Sequence, residues 1–357
     1  MLTREAASEA WRSLTSGTSR WLGLALAGAA VMAGLVVADG RAMAAQIAAA
    51  REYDERGATT WVAKAPGRID GAVCEALAGL PNVRAAGALA PDPKGLTTGQ
   101  LPSNPVTAYR VSPAFPGLLA GNVAMGGVGL VASDQVMSTL GLEVGERLWT
   151  RAGSAAVAGA YAYPDDGRRT GMGWAVLQPS PSNEVFDECW ARIEPSSQGA
   201  AQLLRTAARP SSGEDKSVEV AQLNTALGPP VDTVATFAGR PTGRLWVVAA
   251  AATSLMAAIW VRSRRLELAS ARHAGVPRSA AMAQIGLEAL AWLLLAAVVS
   301  LPVVAAYATA SDMDDAASLA WTLARVPLAG LAAGLLSAMA TAGLVRPRRL
   351  FTYFKVR

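Results

Sequence analysis

The sequence predicts an α-helical integral membrane protein, with four transmembrane helices in a one-plus-three arrangement around a large extracytoplasmic α+β domain. Composition is the first observation, because 52% of the 357 residues are hydrophobic and only 17% are charged, whereas soluble domains contain about 25% charged residues. Four segments are also apolar enough to cross a bilayer core, which takes roughly 20 residues of helix. Between the first two of these segments, residues 39–244 have an ordinary soluble composition.

The four apolar segments divide the chain into nine parts. Three of the segments contain no charged residue, and the third contains only Glu288. The predicted parts are an interfacial helix (1–20), transmembrane helix 1 (21–38), the outer domain with its stalk (39–244), transmembrane helix 2 (245–261), a helix-containing loop (262–281), transmembrane helix 3 (282–306), a short loop (307–325), transmembrane helix 4 (326–345) and a basic tail (346–357).

Lysine and arginine set the expected orientation of the spans. They are concentrated before the first span, between the second and third, and after the fourth, whereas the loop at 307–325 contains Asp312, Asp314 and Asp315. We therefore expect a multi-pass plasma-membrane protein with both termini in the cytoplasm. The net charge of +5 then lies mainly on the cytoplasmic surface, where anionic membrane lipid attracts it. The outer domain has no basic patch that would bind nucleic acid.

Two features of the N-terminal region have alternative interpretations. Apolar residues at positions 2, 6, 10, 11 and 14 are spaced as one face of a helix that would lie in the inner membrane interface, the alternative being a frayed tail. The first span is expected to be an uncleaved anchor. Ala42-Met43-Ala44 resembles a signal-peptidase site, but a leader of roughly twenty residues before an apolar run of about eighteen is long for a signal peptide.

The outer domain alternates short strand and helix patterns. A helical stalk is predicted at 42–56, and Asp70 and Gly141 are placed as helix caps. Predicted strands lie at 59–63, 83–88, 128–132, 147–150, 155–160, 171–177 and 189–193, and predicted helices at 70–80, 134–140 and 198–208. The strands at 147–150 and 155–160 are expected to pair with each other.

Cys74 and Cys189 are the only cysteines, and both lie in the predicted outer domain. That compartment permits disulfide bonds, so we expect the two to be linked. The alternative is two buried thiols that pack as small apolar residues.

The sequence lacks the residues that several kinds of catalytic site require. His273 is the single histidine, which removes most zinc sites and most histidine-based acid–base catalysis. Neither a G-x-x-x-x-G-K-S/T loop nor a G-x-S-x-G elbow is present. We therefore expect a non-catalytic chain without metal or cofactor. A membrane enzyme that used Glu184, Asp187 and Glu188 is a distant alternative, because nothing spaces these carboxylates for acid–base work.

The segment after the second span is the most specific part of the sequence. It contains an amphipathic helix in which Arg264, Arg265, Glu267 and Arg272 are polar and Leu268 is apolar, and Gly275 ends that helix. Such a helix can dock into a groove of a soluble partner. From the residues alone, an ordinary positive-inside loop is an equally good interpretation.

The same segment, RSRRLELASARHAGVPRSAAMAQIGLEALAWLLL at 262–295, resembles the FtsX/MacB-like permease family of ABC transporters. In that family, basic residues at the end of span two precede a Glu-containing helix, then Arg-x-x-Gly, then a span with an early Glu. The matching positions are Arg264, Arg265, Glu267, Arg272, Gly275 and Glu288. The resemblance covers about the last hundred residues, and residues 134–160 are more weakly similar to the family's periplasmic core domain.

The resemblance implies a permease subunit whose coupling helix, within 262–279, docks a separate ATP-binding subunit. ATP hydrolysis by that subunit would drive export or extraction of a lipid or peptide, or mechanotransmission to an extracytoplasmic partner. The chain carries no fused ATPase domain and four spans rather than a duplicated set, so a second permease chain, identical or different, is expected. The rival function is a membrane-anchored sensor, or a regulator of a cell-wall hydrolase, without transport.

Three residues in the spans have a structural and a functional interpretation. An ionisable group in a span, such as Glu288, is a functional candidate by default, but we favour a structural ion pair with Arg262 or Arg265, or a hydrogen bond with Gln284. Gly330 and Gly334 form a G-x-x-x-G pattern that permits close helix packing, within the chain or between chains.

Overall fold

The computed structural model describes residues 2–17, 19–119, 129–151, 153–194, 199–210, 217–229, 232–310 and 316–346. The chain forms two compact units: the helical unit, Met1–Ile47 with Ala238–Arg357, and the sheet unit, Ala48–Phe237. The helices are α1 (Leu2–Thr15), α2 (Trp21–Glu55), α3 (Gly71–Ala76), α4 (Asp134–Leu140), α5 (Ala200–Arg205), α6 (Thr233–Ala238), α7 (Leu245–Ser263), α8 (Arg265–His273), α9 (Arg278–Ala310) and α10 (Ala316–Leu344).

Among the described residues, four helices are long and apolar enough to cross a membrane, namely Trp21–Glu55, Pro241–Ser263, Arg278–Ala310 and Ala316–Leu344. They contain the first three predicted spans and extend beyond them, and the fourth helix ends at Leu344, one residue before the predicted end of its span at 345. The predicted stalk at 42–56 is the continuation of α2, because its alanine-rich sequence favours helix. Helix also occupies the described residues of the predicted loop at 307–325, where good helix formers continue past the apolar window.

The helical unit is packed through small residues. A Cβ added at Gly330 would lie 2.8 Å from Met32 Cε, and one at Gly334 would lie 2.8 Å from Leu293 Cδ2. The hydroxyl of Thr253 on α7 donates a hydrogen bond of 2.8 Å to the carbonyl of Gly330 on α10. The G-x-x-x-G pattern therefore packs α10 against helices of its own chain.

A nine-stranded mixed sheet forms the centre of the other unit, in the order β5-β6-β4-β7-β3-β2-β8-β1-β9. Its strands are β1 (Thr60–Asp70), β2 (Val83–Leu96), β3 (Val106–Val111), β4 (Leu130–Ser133), β5 (Arg147–Thr150), β6 (Gly153–Tyr161), β7 (Ala175–Pro179), β8 (Val185–Ile193) and β9 (Glu219–Gln222). The pairs β3–β7 and β4–β6 are parallel and the other pairs are antiparallel. Together with its peripheral helices this is an α+β unit, and the pairing expected between residues 147–150 and 155–160 is confirmed as β5–β6.

Two helix caps lie where the sequence places them: α3 begins directly after Asp70, and α4 ends directly before Gly141. The Asp70 carboxylate accepts hydrogen bonds from the amides of Ala72 and Val73 at 3.1 and 3.3 Å. The Arg209 guanidinium, 2.8 Å away, holds the pKa of Asp70 below its usual range. Gly141 ends α4 in the left-handed conformation, with φ of 62°, which glycine adopts without strain.

A disulfide bond joins Cys74 in α3 to Cys189 in β8, with the two Cα atoms 5.8 Å apart. Both residues are fully buried in the core between the sheet and its flanking helices, together with Phe186 and Ile193. The bond links the pair that the sequence expects, and it fixes α3 to a strand that pairs with both β1 and β2.

Candidate functional site

The candidate site is built around α8, a nine-residue helix between two long helices. α7 ends at Ser263 and α8 begins at Arg265, so only Arg264 separates them. At the other end, Gly275 has a φ of 98°, a conformation suited to glycine. Pro277 follows just before α9 begins at Arg278. These breaks place α8 as a separate short segment, in agreement with the predicted helix and its glycine end.

Leu268 and Ala269 form the inner face of α8. They are 3% and 0% exposed and belong to the same apolar core as Ala257 and Ile285. Leu268 was expected to offer an apolar contact to a partner. In the structure its side chain is packed inside its own unit and also lines the groove described below, and the contact with a partner stays a prediction. The residues that α8 presents at its surface include Glu267 and Ser270.

Arg264 is the centre of a buried polar cluster. Its Nε and Nη2 atoms donate to the two carboxylate oxygens of Glu267 at 2.9 and 2.6 Å. Its Nη1 donates to Glu288, and Nη2 also lies 3.4 Å from the hydroxyl of Ser13 on α1. Only 8% of the Arg264 side chain is exposed, against 56% for Glu267 and 0% for Glu288.

Glu288 on α9 therefore takes part in a fixed ion pair. Arg264 binds one of its oxygens, and the amide of Gln284 donates to the other at 3.2 Å. The Gln284 contact was expected, but the cationic partner is Arg264 rather than Arg262 or Arg265. Removing one member of a buried pair leaves an uncompensated charge, which costs about 3–5 kcal/mol. The cluster consequently fixes the start of α8 relative to α9.

Trp260 contacts the cluster and connects it to the N-terminal region. The guanidinium of Arg264 lies 5.6 Å from the ring centroid of Trp260, a cation–π distance. The Trp260 indole donates to the carbonyl of Ser19 at 2.9 Å, and its ring packs edge-on against Trp292. The indole of Trp21 donates to the carbonyl of Leu14 at 3.1 Å, which closes the turn between α1 and α2.

Arg272 connects α8 to the end of α10. Its guanidinium donates a hydrogen bond to the carbonyl of Val345, one residue beyond the last residue of that helix. Carbonyls at a helix C-terminus lack intrahelical donors, so this contact both satisfies an acceptor and places a cation at the negative end of the helix. The short helix is thus bound to α9 at its beginning and to α10 near its end.

A groove of about 800 Å³ lies between α1, α8 and the start of α9. Its wall consists of small or apolar side chains, among them Ala6, Ala271, Ala274, Val276 and Pro277. Three carboxylates also line it, from Glu5, Glu9 and Glu267. Within the described part of the chain, no group of three or more His, Cys, Asp or Glu residues could hold a metal ion.

Three of the predicted residues of the 262–288 region meet in the buried cluster, which also has two participants that were not anticipated. Arg264, Glu267 and Glu288 share one cluster, and Arg272 and Gly275 shape the rest of the segment. Ser13 lies 251 residues from its partner in sequence, so no local pattern could reveal it. The position of Trp260 near the end of a predicted span was a usable signal, because tryptophan is enriched at membrane interfaces.

A second group of polar contacts lies within the sheet unit, around the C-terminal end of α2. Arg192 forms an ion pair with Asp54, and Arg168 donates a hydrogen bond of 2.8 Å to the carbonyl of Glu55. Arg168 also binds Asp166 at 2.7 Å and thereby lowers the pKa of that carboxyl. These contacts anchor the last turn of α2 to the residues around it.

No family model matches the chain, and no curated protein matches it. Among solved structures, the periplasmic region of MacB from Actinobacillus actinomycetemcomitans is similar with a TM-score of 0.35 and 8% sequence identity. The alignment covers 46% of this chain and 89% of that one. This is a weak likeness of fold, and it assigns no activity.

Proposed function

We propose that this chain is the permease subunit of an ABC transporter of the FtsX/MacB-like type, which does not hydrolyse ATP itself. In this proposal it lies in the plasma membrane with both termini in the cytoplasm and pairs with a second permease chain. A separate ATPase subunit docks at α8. The observation that carries the proposal is a short helix between two span-length helices, bound to one of them through the buried pair Arg264–Glu288.

The contacts of α8 make it suitable as a coupling element. Because Leu268 is packed in the core and Arg264 is held by Glu288, a force on α8 cannot be absorbed by movement of that helix alone. The bond from Arg272 to Val345 extends the same constraint to the end of α10. Closure of the ATPase on nucleotide would therefore shift these helices together, as rigid elements with two arrangements.

We propose that α2 carries this shift outward. Its 35 residues form a helix about 52 Å long at 1.5 Å per residue, and its last turn is anchored by Arg168 and Arg192. The output would be export or extraction of a lipid or peptide, or activation of an extracytoplasmic partner.

The proposal predicts that the tagged full-length chain, purified in mild detergent from its native membranes, carries an ABC ATPase subunit identifiable by mass spectrometry. Ala274 lines the groove and is exposed, so Ala274→Trp should obstruct docking without disturbing the core. We expect it to reduce the recovered ATPase at least tenfold, which corresponds to about 1.4 kcal/mol.

Ala7→Trp on α1 is the matched control, because this exposed alanine does not line the groove. It should retain the ATPase at the wild-type level. A wild-type preparation that carries no ABC ATPase would contradict the proposed function itself.

A further inference from the structure

The groove between α1 and α8 is lined by acidic residues, whereas neighbouring segments of the chain are rich in arginine. Neighbouring segments contribute the basic residues Arg20, Arg262, Arg265, Arg272, Arg278 and Arg346. The described residues that line the groove include three glutamates and neither lysine nor arginine. An acidic recess attracts a ligand of positive charge.

The shape of the groove also fits a long cationic side chain. Alanine, valine and proline make up much of its wall, so an aliphatic stem can lie along it while a charged head reaches the carboxylates. An anionic lipid headgroup would be repelled by Glu5, Glu9 and Glu267. The charge and the shape together favour a protein segment that presents lysine or arginine.

Glu267 connects the groove to the buried cluster. Its carboxylate is 56% exposed, yet it binds Arg264, whose remaining Nη1 contact is the fully buried Glu288. Arg264 is therefore shared between a carboxylate that a ligand can reach and one that it cannot. A cation that binds Glu267 from the groove competes with Arg264 for that carboxylate.

We propose that a positively charged segment of the ATPase subunit occupies the groove, binds Glu5, Glu9 and Glu267, and thereby leaves Glu288 as the one carboxylate that holds Arg264. This inference rests on the proposed function and names the chemistry of the docking contact. Arg264 is a positioning residue in this scheme, because it binds Glu288 on α9 and its other contact, with Glu267, depends on whether the groove is occupied. The two arrangements of its guanidinium form the element that docking biases.

The first test measures affinity. The ATPase subunit recovered with the wild-type chain is titrated with full-length permease in detergent, at low and high salt, and binding and ATP hydrolysis are recorded. Glu5→Gln/Glu9→Gln should weaken binding about tenfold at low salt, and its affinity should depend less on salt than that of the wild type. Arg12→Gln is the control on the same helix, since it removes the cation paired with Glu9 and should leave affinity unchanged or higher.

The second test separates docking from the Arg264 exchange. Glu5→Gln/Glu9→Gln should raise the permease concentration that half-saturates ATP hydrolysis and leave the maximal rate unchanged. Glu267→Gln should change both quantities, because Glu267 also holds Arg264. A purely electrostatic docking role for Glu267 would give it the same profile as the double variant, and this result would overturn the positioning role.

The groove proposal has its own contradicting outcome. If the wild-type chain binds the ATPase, but Glu5→Gln/Glu9→Gln and Glu267→Gln bind with unchanged affinity and unchanged salt dependence, the groove is not the docking surface and this inference is wrong. If the wild-type chain binds no ATPase, the proposed function fails first. The two failures are therefore distinguishable.

Discussion

The disulfide between Cys74 and Cys189 offers a quantitative test of the sheet unit. The perturbation is Cys74→Ala/Cys189→Ala, which removes the bond without introducing a buried polar group. Both sulfurs are fully buried between α3 and β8, so the change does not alter the surface. The replacement should leave the helical unit unaffected, because neither cysteine belongs to it.

The expected loss follows from the length of the closed loop. The two cysteines are 115 residues apart, and the chain-entropy relation gives about 4.8 kcal/mol for a loop of that length at 25 °C. For a unit of roughly 190 residues, each kcal/mol lowers the unfolding temperature by about 2–4 °C. The double variant should therefore unfold about 10–19 °C below the wild type.

Calorimetry of the full-length chain in detergent, with and without reductant, measures this difference. Reduced wild type should match the double variant, and the double variant should not respond to reductant. A non-reducing peptide map supplies the direct check. Two free thiols in the native chain would refute the bond, and equal unfolding temperatures with an intact bond would refute the entropic argument.

Three further predictions concern packing, pH and orientation. Gly40→Ala should destabilise the helical unit by about 1–3 kcal/mol, because the new Cβ would lie 2.7 Å from the ring of Tyr307. Gly34→Ala on the same helix is the control: its Cβ meets nothing within 4 Å, so this variant should unfold like the wild type. The depressed pKa of Asp70 stabilises the folded chain at pH values above the unfolded pKa of about 3.9. This stabilisation is lost as the pH falls through the lower, folded pKa. Asp70→Asn should therefore flatten that part of an acid-unfolding curve. In intact cells, an impermeant maleimide should label Asp165→Cys but not Ser279→Cys, and the reverse would contradict the proposed topology.

Elements with local signals were the predictable part of the fold. α4 was predicted at 134–140, which are its observed bounds, because Gly141 signals its end; in the structure Ser133 also caps its start. β3 and β9 were missed. β9 has four residues and lies at the sheet edge, half exposed, so it lacks the apolar run of a central strand. Its pairing with β1 joins residues about 160 positions apart, and no local pattern encodes such a contact.

The site shows the same division between local pattern and tertiary contact. The spacing of residues 264–275 identified a short polar helix, and an ionisable residue in a span identified Glu288. The pairing of Glu288 with Arg264 depends on where α7 ends, because Arg264 directly follows that end and its guanidinium points into the unit. The burial of Leu268 depends on the packing of α8 against its neighbours, which an amphipathic pattern alone cannot orient.

Within the helical unit, α2 is held near its start and near its middle, and this bears on the proposed transmission. Near its start, Trp260 of α7 binds the carbonyl of Ser19. Further along, Asp39 forms a buried ion pair of 3.2 Å with Arg240, just before α7, and Gly40 packs directly against Tyr307 of α9. Close packing without a flexible spacer gives α2 little room to slide past its neighbours. In the proposed mechanism, a displacement that begins at α8 would therefore carry α2 with it, whereas loosening any of these three contacts should uncouple ATP hydrolysis from the outer output while the ATPase remains bound.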